Sequence, residues 1–168
     1  HIISIFEEVG KGKTEAFSYF IPAAIFSTTS NLLASWAADK IHLKPILIIM
    51  LVSFCLGSLG FINLQNNWGF WMLAFGFGVG GGLWGVLSNL SYIRFFGPNH
   101  LGEISGFSAS LTVFASAIGP AAFSLGFDYF GSYAAPAKIC LGFLIVLLIT
   151  SVLLDHKEGS KLDLANLN

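Results

Sequence analysis

The side chains with chemistry to offer in this sequence are neutral and sit inside apolar surroundings. Ser27-Thr28-Thr29-Ser30-Asn31 sets four hydroxyls and an amide in a row, and Asn89 lies near Trp84, Ser88 and Tyr92. Such groups donate and accept hydrogen bonds but are poor acids, bases or metal ligands, so the chemistry they fit is non-covalent recognition of a polar solute. Hydroxyls can instead bond back to their own helix carbonyls and do nothing further. Asn31 and Asn89 are the stronger candidates, because an amide needs partners beyond its own turn. Ser27, Thr112 and Trp84 join them as lining residues, with packing as the competing role for Trp84. His1 is a further candidate, to titrate or to bind a solute, against simple hydrogen bonding at an interface.

The absences narrow the field. Glu15, Glu103 and Asp128 stand at the ends of apolar runs rather than within them. A carboxylate deep in a membrane helix costs about 2.5–3.5 kcal/mol on insertion scales and would mark a proton relay. There is no Ser/His/Asp or Cys/His set and no ligand cluster for a metal, so neither enzyme chemistry nor a cofactor has support. Gly76-x-Gly78-x-x-Gly81 matches a dinucleotide-binding pattern on paper, but that pattern requires a preceding strand and an acid about 20 residues on. Close helix packing through Gly76/Gly80, Gly78/Gly82 and Gly81/Gly85 is the favoured reading.

The elements that must position these groups are membrane helices. Positions 45–93 contain no Asp, Glu, Lys or Arg, more than twice the roughly 20 residues that cross a bilayer as a helix. The amides Asn63, Gln65, Asn66 and Asn67, followed by Trp68 and Trp71, divide this run into spans at 45–64 and 70–93. Trp at such a break suits the headgroup interface. Further charge-free spans run over 16–38, 104–127 and 134–154, and 1–6 reads as the end of another. Thr14 and Glu15 offer a capped start to the 16–38 span. Residues 155–168 form a polar tail. The expected fold is an all-α integral membrane bundle, with five full transmembrane helices and the end of a sixth.

Composition agrees: 55% of residues are hydrophobic, 10% are charged and the mean hydropathy is +0.77, whereas soluble domains carry about 25% charged residues. A net charge of -1 excludes the basic surface that binding nucleic acid requires. Cys55 and Cys140 fall in apolar runs and are expected as buried free thiols. Since the chain starts at His1 without Met, it is read as a fragment of a longer protein. Lys40, Lys44, Arg94, Lys157 and Lys161 fall on one side of the spans, against Lys11, Lys13 and Lys138 on the other. That bias puts the C-terminus in the cytoplasm.

The spans differ in kind. Those at 45–64 and 134–154 are almost wholly apolar, as lipid-facing helices can be. The others carry stripes four residues apart: Ser27, Asn31 and Ser35; Gly81, Gly85 and Asn89; Ser108, Thr112, Ser116 and Pro120. Gly119-Pro120 interrupts the 104–127 span and permits a bend.

Two stretches carry a family resemblance. Ser35-Trp-Ala-Ala-Asp39-Lys40-Ile-His42-Leu-Lys44 is one. The other starts as Arg94-Phe-Phe-Gly97-Pro-Asn-His-Leu-Gly102-Glu-Ile-Ser-Gly106 and continues through Ala117-Ile-Gly119-Pro120 to Asp128-Tyr-Phe-Gly131-Ser-Tyr133. Together they resemble the C-terminal half of a major facilitator superfamily transporter, from the end of its seventh helix through its twelfth. The resemblance implies alternating access by two six-helix halves. The other half of the same protein, the lipid bilayer and a small solute are then the partners. It also implies that the ninth and twelfth helices, here 45–64 and 134–154, are peripheral. Asn31, Ser27, Trp84, Asn89, Thr112 and His1 would lie on the translocation path, and Asp39, Lys40 and Arg94 at the cytoplasmic gate. Gly81, Gly85, Gly119 and Pro120 would serve helix bending and packing. Ser35 and His42 stand where the family usually has glycine. His1-Ile-Ile-Ser-Ile-Phe and Gly131-Ser-Tyr133 are similar to bacterial monocarboxylate or oxalate/formate carriers, which implies the bacterial inner membrane and an organic anion among the solutes. Relatives often hold the substrate carboxylate with a basic residue in the eighth helix, and 16–38 has none. The alternative is a non-transporting membrane sensor or a structural or interaction subunit.

Overall fold

The computed structural model describes residues 2–38 and 40–154; His1, Asp39 and the 155–168 tail, all named above, lie outside them. Every regular element described is helical: α1 (Ile2–Glu8), α2 (Lys13–Ser18), α3 (Phe20–Ala38), α4 (Leu43–Ile62), α5 (Asn67–Phe96), α6 (Leu101–Phe130) and α7 (Ala134–Leu153). A single 3-10 turn, Pro98–His100, precedes α6. α5 and α6 have 30 residues each, about 45 Å at 1.5 Å per residue, so they outreach a hydrocarbon core of about 30 Å. Both end on a glycine with positive φ: Gly97 at 74° and Gly131 at 67°, a conformation other residues rarely adopt.

Four helices, α4 to α7, are long and apolar enough to cross a membrane. α3 has 19 residues but is not among them, because Ser27-Thr28-Thr29-Ser30-Asn31 dilutes its apolar content. The expected 16–38 span is also broken at Tyr19. Pro22, one turn on, has no N–H to give to the Ser18 carbonyl, so the hydrogen-bond ladder lapses there. Chain direction persists, since Tyr19 keeps right-handed helical angles and Ala23 N–H still reaches the Tyr19 carbonyl at 3.2 Å. The start of α2 differs from expectation too. Gly12 rather than Thr14 takes the cap position, and its N–H donates to the Glu15 carboxylate at 3.1 Å.

α5 is the organising helix, gripped between α3 and α4. Its glycines divide by face, as about 100° per residue requires. Gly76 meets the backbone of Gly57 and Ser53, and Gly80 meets the Phe54 ring, both on α4. Gly78 and Gly82, roughly half a turn away, meet Ala23, Phe26, Ser27 and Ser30 on α3. One apolar core joins Ala34 and Ala38 of α3, Leu43, Ile46, Met50 and Leu51 of α4, and Leu83, Val86 and Leu87 of α5. A second, at the opposite end, joins Phe6, Ala16, Leu64 and Leu73.

Apolar content maps onto periphery for α7, as expected, but not for α4. α4 is wedged between α5 and α7, because Ser53, Gly57 and Gly60 give it a small-residue stripe that admits a second backbone. The outer helices are α7 and α6. α6 has no buried residue and meets the rest chiefly near its ends. Tyr92 donates to the Ser108 hydroxyl, Phe61 meets Phe123 edge-on with ring centroids 6.0 Å apart, and Gly126 faces the Pro136 ring. The helix does not end at Pro120 but runs on through it to Phe130. Cys140 is exposed on α7 and Cys55 half-buried, both as free thiols, so neither is the buried group expected.

Charged side chains close α7 at both ends. The Glu8 carboxylate accepts the N–H of Tyr133 at 3.2 Å, and the Lys44 ammonium donates to the Leu154 carbonyl at 2.8 Å. Each charge opposes the nearby pole of the helix dipole. Lys44→Met in the full-length protein is expected to cost about 0.5–1 kcal/mol, an exposed-interaction magnitude. A thermal melt in detergent that shifts downward by a few degrees checks this; an unchanged melt would show that the contact contributes nothing.

Candidate functional site

Two cavities compete for attention. The larger, of about 580 Å³, is bounded by α1, α4, α5, α6 and α7 and walled by Phe6, Phe61, Phe77, Phe123 and Phe143. Its walls are almost wholly apolar, so it has little means of orienting a polar solute. The smaller is an open notch of about 380 Å³ between α3 and α5, lined by Asn31, Ser35, Gly85, Val86, Asn89 and Leu90. It holds the amides singled out from the sequence, and it is the candidate site.

Helical spacing builds the notch. Asn31 and Ser35 lie one turn apart on α3, as Gly85 and Asn89 do on α5. The missing side chain at Gly85 provides the floor: a Cβ there would stand 3.2 Å from the Asn31 amide nitrogen. Asn31 is half-buried, and its Nδ2 donates to the Gly82 carbonyl at 3.0 Å. This is a cross-helix bond in the middle of α5. Asn89 is exposed and donates from Nδ2 to the Gly85 carbonyl of its own helix at 2.9 Å. In both cases the partner is a carbonyl, which only accepts, so the amide nitrogen must face it.

A model of the Major Facilitator Superfamily matches residues 7–166. The chain belongs to the Major Facilitator Superfamily. It is therefore an integral membrane protein of a transporter family, not of an enzyme family. No curated protein matches the chain, and no solved structure does either.

Within this superfamily chain the notch gathers only part of the expected set. Asn31 and Asn89 share it, and Ser35, seen in the sequence only as part of a stripe, joins them. Ser27 does not reach it: it is half-buried in the α3–α5 contact, where its carbonyl accepts the Ser30 hydroxyl at 3.0 Å. Trp84 is half-exposed, off the notch, and its carbonyl accepts the Ser88 hydroxyl. Thr112 is exposed on α6 and returns its hydroxyl to the Ser108 carbonyl at 2.9 Å, the inert arrangement open to any helical hydroxyl. Gly85 meets Asn31, but Gly81, expected to pack, has no heavy atom within 4 Å of where a Cβ would sit. Gly119 is likewise open at that position.

At one end of the bundle Arg94 donates to the Ala38 carbonyl and, at 3.4 Å, to that of Ile41. It thereby caps the C-terminus of α3 from α5, a role the sequence reading did not assign. Spacing alone held no signal for it beyond a lone cation at a helix end. Lys40 instead rests its ammonium 4.0 Å from the centroid of the Trp36 ring. Among the described residues no group of three or more His, Cys, Asp or Glu is placed to hold a metal.

Proposed function

We propose that this chain is the C-terminal six-helix half of a secondary transporter, which moves a small solute by alternating access. In this reading the α3–α5 notch is its share of the solute path. The carrying observation is the meeting of Asn31, Ser35 and Asn89 in one open recess, along the C-terminal half of the helix that organises the bundle. Sites of this kind in alternating-access carriers lie near the bilayer midplane, between the two halves. The middle of α6, exposed from 111 to 118, is then the surface left for the other half.

Arg94, with Lys40 and Asp39, would act at the cytoplasmic gate. The bias of Lys and Arg supports a cytoplasmic location for that end and for the C-terminus, in a bacterial inner membrane. Trp84, Thr112, Ser27 and His1 would contribute to the path only if the other half or a moving helix brought them to it.

The test is uptake by full-length protein in proteoliposomes, with labelled mannitol, glucose, glycine and oxalate as probes. Uptake above that of empty vesicles is expected, and Asn31→Ala and Asn89→Ala should each lower it about 3- to 10-fold at equal protein, the value of one lost hydrogen bond. Unchanged rate and affinity in both variants would remove the notch from the path. No uptake of any probe would favour the non-transporting reading.

A further inference from the structure

The hydrogen-bonding inventory of the notch specifies more than its existence. Each Asn amide brings two N–H donors and a two-lone-pair carbonyl, and a Ser hydroxyl brings one donor and two lone pairs. Asn31 commits one N–H to Gly82, and Asn89 commits one to Gly85. What remains is both amide oxygens, one N–H on each amide and the Ser35 hydroxyl. Donors and acceptors are mixed, with acceptors in excess. None of the six lining residues is Lys, Arg or His. Nearby cations are engaged elsewhere: Arg94 with the carbonyls at the end of α3, Lys44 with those of α7, and Lys40 with the Trp36 ring.

A carboxylate fits this surface badly. It only accepts, so the amide oxygens would face it unpaired, and it would leave water without a counter-charge, which is costly. A hydroxyl donates and accepts at once, so a row of hydroxyls can satisfy amide oxygens, residual N–H groups and Ser35 together. We infer that the notch takes an uncharged, hydroxyl-rich solute of the polyol or sugar class, in place of the organic anion that the carrier resemblance implied. This rests on the transport reading above and sharpens it.

The experiment uses the full-length protein in proteoliposomes with two probe sets, mannitol and glucose against oxalate and lactate. Wild type is compared with Asn89→Leu and Asn89→Lys. Asn89 is exposed and bonds only to its own helix, so both variants should fold; equal recovery on gel filtration checks that. Expected is uptake of a polyhydroxyl probe at least about tenfold above that of the carboxylates. Both variants should lower it, and Asn89→Lys, which adds a cation to the notch, should narrow the margin over oxalate and lactate. Oxalate or lactate uptake that exceeds the polyhydroxyl probes and falls in Asn89→Leu would overturn the solute class while leaving the transport reading intact. Absence of uptake for all four would overturn both.

Discussion

Gly76→Ala is expected to be among the most destabilising glycine-to-alanine changes in this chain. The new Cβ would be driven into Gly57 and the Ser53 carbonyl of α4, which are backbone atoms with no rotamer to give way. Overpacking a close contact typically costs about 1–3 kcal/mol, and a rigid wall puts this site at the upper end. Gly81→Ala, five residues on, meets nothing within 4 Å. It should be neutral or slightly stabilising, since alanine favours a helix over glycine by about 1 kcal/mol. The pair is compared by the melting temperature and monodisperse yield of full-length protein in detergent. A large fall for Gly76→Ala beside an unchanged Gly81→Ala is the expected result. Equal behaviour of the two would mean that α4 and α5 are not in backbone contact.

Arg94→Gln should loosen the end of α3. Arg94 gives its guanidinium to the carbonyl of Ala38, which ends α3, and to that of Ile41 in the connection beyond it. The Ala38 carbonyl is one the helix leaves without an internal partner, where its dipole is negative. Hydrogen bonds to a charged group contribute about 1.5–3 kcal/mol when protected. Half-burial of Arg94 reduces that to about 1 kcal/mol. Amide exchange at positions 36–43 should then speed by about fivefold, with the middle of α5 unaffected. Arg94→Lys should recover part of the protection, since a point charge remains but the two-pronged geometry is lost. Exchange that is identical in wild type and Arg94→Gln would show that the cap contributes nothing, and would weaken Arg94 as a gate residue with it.

Class and membrane setting were legible without coordinates. A bilayer imposes one strong condition, that long stretches lack charge and satisfy their backbone internally, and this condition is written in composition. The boundaries of α4 and α7 come within two residues of expectation for the same reason. The lengths of α5 and α6 did not, because both helices continue through interfacial residues such as Arg94 and Asp128 that bound a charge-free span but do not end a helix. Pro22 and its break at Tyr19 were available in the sequence, but a charge-free run draws attention away from a single breaker within it.

Tertiary structure decided which polar and small residues matter. Ser27, Asn31 and Ser35 form one stripe by spacing, yet packing sends Ser27 into the α3–α5 contact and leaves Asn31 and Ser35 at the notch. The glycine row looks uniform as a string, yet Gly76 and Gly82 touch neighbouring backbones while Gly81 faces open space. Periodicity fixes the angle between two residues on one helix, but not the direction in which that helix is turned toward its neighbours. α4 illustrates the same point, since its apolar surface serves helix contact as readily as lipid. The residues alone determined a charge-poor helical membrane protein of a transporter superfamily with neutral hydrogen-bonding groups in its spans. Only the rotation and docking of α3, α4 and α5, set by where small side chains let backbones approach, decided which of those groups meet.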